Sequence, residues 1–120
     1  MKKILIADDR YEVVELVKAT LEGEDYQVID ASDGKEALEK IKREKPDLVL
    51  LDIIMPKMDG FEVLSEVKKD PKTKEIPIIM LTAKGQKLDK DKGRRLGAQD
   101  YIVKPFSPSH LLIKIEEVSG

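Results

Sequence analysis

Apolar positions along this chain follow two rhythms that take turns. Short unbroken runs appear at Ile4-Leu5-Ile6-Ala7, Leu48-Val49-Leu50-Leu51, Ile76-Pro77-Ile78-Ile79-Met80-Leu81 and Tyr101-Ile102-Val103, with a looser one at Gln27-Val28-Ile29-Asp30-Ala31. Runs this short, bounded by turn signals, predict strands buried on both faces, as in a parallel sheet. Between them the spacing becomes helical. Val13, Leu16, Val17, Thr20 and Leu21 fall at i, i+3, i+4, i+7 and i+8 and predict one core-facing stripe, ended by Gly23. Tyr11, Val14 and Lys18 form a second stripe beside it, expected to be exposed.

Asp33-Gly34-Lys35-Glu36 and Asp59-Gly60-Phe61-Glu62 each read as an N-cap with a glutamate three residues on. Ala37, Leu38 and Ile41 are the apolar side of the first of these helices; Phe61, Val63, Leu64 and Val67 that of the second, which Asp70-Pro71 stops. A polar helix over roughly Gln86 to Leu96 leads to Gly97. Ser107-Pro108 predicts an N-cap with proline at the first helical position, and Leu111, Leu112, Ile115 and Val118 face inward from the last helix. Five strands alternating with five helices argue for right-handed βαβ units in one α/β domain over residues 1–120, its parallel sheet covered on both faces.

Composition narrows the class. The chain has 120 residues, 41% hydrophobic and 38% charged, with a net charge of −2. Mixed signs give no broad basic face for nucleic acid and no polybasic membrane anchor. No apolar run suggests a membrane span or a signal peptide, so the expected location is cytoplasmic. Cysteine is absent, which removes disulfide and thiol chemistry, and His110 is the only histidine, read as a surface helix residue.

Most of the acidic residues have local explanations as caps, turn residues or solvated helix positions. Asp8, Asp9 and Asp52 differ, because each sits at the carboxyl end of an apolar strand, where open α/β sheets place their ligand crevice. If their strands are neighbours, the three carboxylates converge, and like charges at that distance call for proton uptake or a cation. All-oxygen ligands suit Mg2+ or Mn2+. Thr82 ends the fourth strand and Lys104 follows the fifth; together they supply a hydroxyl and a point charge on the same edge, which suits an anion held beside a metal. Pro105 is a candidate for a cis bond that aims Lys104 inward.

Asp8-Asp9, Asp52-x-x-Met55-Pro56-x-Met58-Asp59-Gly60, Thr82-Ala83, Gly97-Ala98-x-Asp100-Tyr101 and Lys104-Pro105-Phe106 together resemble the receiver domain of two-component response regulators, over the whole chain. The resemblance, not the periodicity, implies a flavodoxin-like, doubly wound five-stranded sheet of order 2-1-3-4-5. It implies a phosphorylation-dependent switch in which Asp52 accepts a phosphoryl group from the phosphohistidine of a sensor histidine kinase. It further implies Mg2+ held by Asp9, Asp52 and the carbonyl of Ile54, with Asp8 acting through water. Lys104 would pair with the phosphoryl group. The Thr82 hydroxyl and the Ala83 N–H would bond it, and Tyr101 would swing inward as Thr82 moves. Such a domain is a phosphoacceptor that assists its own chemistry, not an enzyme. It acts on an unidentified downstream protein or output domain, as a monomer or a phosphorylation-dependent dimer, without contacting nucleic acid itself.

Two departures stand out. Arg10 follows the acid pair where the family more often has an acidic or small polar residue, and a cation there is expected to weaken Mg2+ binding. Ile54 and Lys84 hold the positions flanking the approach of water, and neither suits orienting one, which predicts a long-lived phosphoryl group. Three rival readings remain at this point. A Mg2+-dependent phosphatase with an aspartate nucleophile usually has a second acid where Ile54 stands. A flavin-binding protein needs a Ser/Thr/Gly-rich phosphate loop where Asp8-Asp9-Arg10 stands. A non-phosphorylated pseudo-receiver scaffold fits poorly with an intact set of Asp8, Asp9, Asp52, Thr82 and Lys104.

Overall fold

A computed structural model describes residues 2–83 and 87–119. Its elements are β1 (Lys2–Ala7), α1 (Tyr11–Glu22), β2 (Tyr26–Ala31), α2 (Gly34–Glu44), β3 (Leu48–Asp52), α3 (Gly60–Lys69), β4 (Ile78–Ala83), α4 (Lys87–Leu96), β5 (Asp100–Lys104) and α5 (Pro108–Ser119). All five strands are parallel, in the order β2-β1-β3-β4-β5. The expected flavodoxin-like sheet is therefore present. Lys84 and Gln86, to which the sequence reading gave a role in water approach and the start of a helix, lie outside the described residues.

Strand alternation splits the core into two layers. Ile4, Ile6, Leu48, Leu50, Ile79, Leu81 and Ile102 pack against α1 and α5. Leu5, Ala7, Val49, Leu51, Ile78 and Met80 face the other way, onto α2 and α3. Every residue of β3 is buried, as an unbroken apolar run in the middle of a parallel sheet requires.

Three details differ from expectation. The buried stripe of α1 is Val14, Val17 and Leu21, whereas Leu16 is exposed. Val17 and Leu21 stand at helical spacing from Val14 (i+3, i+7) as well as from Val13 (i+4, i+8), so the periodicity alone leaves the helix free to roll; the sheet beneath it selects the Val14 side. The proposed outer stripe is thereby broken up: Val14 is buried, Lys18 pairs with Asp30 at 2.7 Å, and only Tyr11, 73% exposed, projects freely. Thr82 lies within β4, which runs on to Ala83, because a β-branched residue continues an extended backbone readily. Likewise Lys104 is the last residue of β5 and does not follow it.

The helix caps position the loops beside the strand ends. At α3, Asp59 accepts from the Glu62 N–H at 2.9 Å and Glu62 accepts from the Asp59 N–H at 3.3 Å, a closed capping box. At α2, Asp33 accepts from the Glu36 N–H at 2.8 Å, but Glu36 reaches past it to the Ser32 N–H at 2.7 Å. The β3–α3 loop is tied down from both helices: Gly34 N–H donates to Pro56 O at 3.2 Å and Gly60 N–H to Ile53 O at 2.7 Å. At Gly60 a Cβ would stand 2.2 Å from Asp52 O, so only glycine lets α3 start this close to the end of β3.

Candidate functional site

The sheet order reverses between β1 and β3, and the loops leaving these two strands open a crevice at their carboxyl ends. Ala7 is in register with Leu51, so Asp8 comes level with Asp52. Alternation then decides which side chains meet. Asp8 continues Ile4 and Ile6, Asp52 continues Leu48 and Leu50, and Lys104 continues Ile102; all three belong to the α1/α5 side. Lys104 Nζ reaches across from β5 to stand 2.7 Å from Asp8 Oδ2 and 3.2 Å from Asp52 Oδ1. Its Lys104-Pro105 peptide is cis, as the sequence reading had suggested. Thr82 has the opposite alternation, following Ile78 and Met80, and its hydroxyl donates to Ala83 O at 2.9 Å and not to a carboxylate.

Asp8, Asp9 and Asp52 each present a carboxylate oxygen within 4.8 Å of the others. Asp8 is fully buried at its side chain, and its other oxygen accepts the Arg10 N–H at 2.9 Å. One lysine faces three carboxylates, so the cluster keeps an excess of negative charge. The consequence is visible at Asp52. Burial pushes its carboxyl above the usual range, the charges of Asp8 and Asp9 push the same way, and Lys104 opposes them only in part. An incompletely neutralised, all-oxygen donor set of this kind could hold a hard divalent cation.

A cavity of about 360 Å3 opens on this cluster, lined by Asp9, Arg10, Asp52, Ile54, Thr82, Ala83, Asp89 and Lys104 among others. Six of the expected site residues thus share one cavity, and Asp8, outside its lining, is joined to it through Lys104. Ile54 is 80% exposed at its lip. Tyr101 is not among the lining residues. Its ring is flanked by Lys90 Nζ at 4.5 Å and Arg94 Cζ at 4.8 Å, and its hydroxyl accepts from Arg94 Nη2 at 2.7 Å. Asp89, in the first turn of α4, also lines the cavity. Its place on the cavity wall depends on how α4 docks, and no local spacing signals that. His110 is exposed, as expected, with its N–H on Ser107 Oγ at 3.1 Å.

Known proteins share both the sequence and this architecture. The chain is 46% identical over 117 residues to the alkaline phosphatase synthesis transcriptional regulatory protein PhoP of Bacillus subtilis, covering 98% of this chain and 48% of that protein. It spans about half the length of the curated relatives it matches. Among solved structures, chemotaxis protein CheY4 of Vibrio cholerae superposes with a TM-score of 0.92 at 37% identity, covering 98% of each chain. The receiver domain of NtrX from Brucella abortus superposes with a TM-score of 0.90 at 33% identity, covering 97% of each. The model of the response regulator receiver domain matches residues 4–116. Sheet order, acidic crevice and sequence agree, and the chain belongs to the response regulator receiver domain family.

Proposed function

We propose that this domain, over residues 1–120, is a phosphorylation-driven switch in which Asp52 is the phosphoacceptor. The observation that carries the reading is the ion-paired cluster at the crevice: Lys104 between Asp8 and Asp52, beside Asp9, with an open cavity above. In the reaction an Asp52 oxygen forms a bond to phosphorus while the N–P bond of a sensor kinase phosphohistidine breaks. The electron pair goes to the imidazole nitrogen, which takes up a proton. Phosphoryl transfer needs in-line positioning and charge neutralisation more than covalent help from side chains. Lys104 leaves its carboxylate partners to meet the new phosphoryl oxygens. The Thr82 hydroxyl exchanges Ala83 O for the phosphoryl group, joined by the Ala83 N–H, and Tyr101 follows the vacated space inward.

Asp9, Asp52 and the Ile54 carbonyl would hold Mg2+ directly and Asp8 through water; Mn2+ can replace it. The bound ion supplies charge neutralisation between carboxylates and phosphoryl oxygens. The group transfer changes local charge and biases a two-state surface, so the domain signals by altered partner binding and not as an enzyme. The partners are a sensor histidine kinase in the cytoplasm and a downstream protein or output domain, and the domain itself does not touch nucleic acid. It acts as a monomer or as a dimer formed on phosphorylation.

Incubation with acetyl phosphate, with and without Mg2+, tests this by intact mass. One Mg2+-dependent phosphoryl adduct is expected, absent in Asp52→Asn. A folded domain that forms no adduct would leave the pseudo-receiver scaffold as the better reading.

A further inference from the structure

Arg10 breaks a local rule. It occupies the N-cap position of α1, where a short polar side chain would bond the first free N–H groups and where a cation opposes the helix dipole. α1 has no side-chain cap, whereas α2 and α3 are capped by Asp33 and Asp59. Local rules broken without local compensation tend to mark functional positions. Arg10 also lines the cavity over Asp52 together with Thr82 and Lys104. Its own N–H is held by Asp8 at 2.9 Å, which fixes where the side chain starts. Yet, among the described residues, its guanidinium has no ion-pair partner. A charged fork at an acidic mouth, left unpaired, is available to an incoming anion.

We propose that Arg10 contacts the phosphoryl group of the incoming donor from the α1 side of the cavity, as a second cation complementing Lys104 on β5. The inference rests on the phosphoacceptor role of Asp52. The ligand is a dianionic phosphoryl group, carried either on an acyl oxygen or on an imidazole nitrogen. A guanidinium suits it because two parallel N–H groups match two phosphoryl oxygens. Arg10 keeps its protons throughout. With acetyl phosphate the Asp52 O–P bond forms, the donor O–P bond breaks, and the electron pair leaves on acetate.

The test uses the full chain at saturating Mg2+, with acetyl phosphate and with phosphoimidazole as separate donors, read as initial rates of adduct formation. Arg10→Ser should be about five- to tenfold slower with both donors, the size of one or two screened charge contacts. Arg10→Lys should recover part of the loss, and the difference should shrink as salt is raised. Rates for Arg10→Ser equal to or above wild type overturn the proposal, as does a loss confined to one donor or no recovery in Arg10→Lys. A wild-type chain without any adduct fails the phosphoacceptor reading itself and is distinguished from these outcomes by that control.

Discussion

The two ends of the sheet carry the same residue types and use them oppositely. At the amino ends of the strands, Lys3 pairs with Glu44 at 3.0 Å, and Asp47 accepts the Lys3 N–H at 2.7 Å while its own N–H donates to Lys3 O at 2.8 Å. Hydrogen bonding from Lys3, then from Arg43, holds the Glu44 carboxyl below its usual range. At the carboxyl ends, three carboxylates converge and Lys104 pairs with two of them, Asp8 and Asp52, and Asp52 is pushed above its usual range by burial and by Asp8. Opposite shifts on Glu44 at the end of α2 and Asp52 at the end of β3 separate a paired surface charge from one held in a perturbed crevice setting. The first end is paired as it stands; the second keeps carboxylate charge that Lys104 alone does not neutralise.

The largest expected contrast is steric. In Gly60→Ala the new Cβ would meet backbone at Asp52 and Ile53, a clash no side-chain rotation relieves. The expected loss is about 3 kcal/mol, read by denaturant unfolding. Gly23, which ends α1 near the amino edge of the sheet, has ordinary helical φ and its nearest neighbours at 3.6 and 3.8 Å. Gly23→Ala should be neutral or stabilise by up to about 1 kcal/mol. Equal losses at the two glycines would show that the crevice is no more tightly built than the opposite edge.

Next comes removal of the lysines. Lys104→Met leaves the buried Asp8 side chain facing Asp52 without a cation, and in metal-free buffer should cost about 2 kcal/mol. Lys3→Met breaks a partly exposed pair and should cost less than about 0.5 kcal/mol. Added Mg2+ should restore part of the Lys104→Met loss and none of the Lys3→Met loss. Failure of Mg2+ to discriminate the two would remove the acidic cluster as its site.

A smaller effect has opposite signs at the two ends. Because the folded-state pKa of Asp52 is raised, ionisation disfavours the folded state, so Asp52→Asn should raise the melting temperature at pH 7 without metal. The wild-type penalty starts to disappear as pH falls through that raised value and is gone below the unfolded value of about 3.9. The advantage of Asn should vanish over the same window. Glu44 has a lowered pKa, so its contribution is present above the unfolded value and is lost as pH falls through the folded one. Glu44→Gln should therefore lower the melting temperature at pH 7 and be without effect in acid. Melts of both variants from pH 3 to pH 8 check the crossing signs.

Which of these features were legible in the sequence follows from their range. The strands were, because the apolar runs stop at or beside polar residues: Asp8 follows β1, Asp52 and Lys104 end β3 and β5, and Thr82 lies one residue before the end of β4. The caps Asp33 and Asp59 were, because a cap is a contact over three residues. The roll of α1 was not, because Val17 and Leu21 are spaced helically from Val14 as well as from Val13, and only the sheet chooses between Val14 and Leu16. Nor did Asp-Gly at 33–34 and 59–60 reveal more than caps. The need for glycine arises from the backbone of Met58 and Asp52, brought close by packing. Strand parity sets Thr82 with Ile78 and Met80, on the face opposite to Asp8, Asp52 and Lys104, but which face of the sheet each strand's parity meets is fixed only by the packing.

Arg10 makes the finest distinction. On the proposed reading, one guanidinium at the mouth would act on both ions of the reaction, and with opposite sign: it would attract an anionic donor and repel a divalent cation. Arg10→Ser should therefore tighten Mg2+ binding about threefold in calorimetry at low salt, less at high salt, where a partly exposed charge is screened. Lys3→Ser, at the far end of the sheet, should leave Mg2+ affinity unchanged. The two effects of Arg10 then compete. At limiting Mg2+ the variant gains metal while losing donor, so its deficit in phosphorylation rate should be smallest there and should grow as Mg2+ approaches saturation. A deficit independent of Mg2+, with unchanged Mg2+ affinity, would place the charge of Arg10 too far from the carboxylates to act on the metal and leave only its effect on the donor.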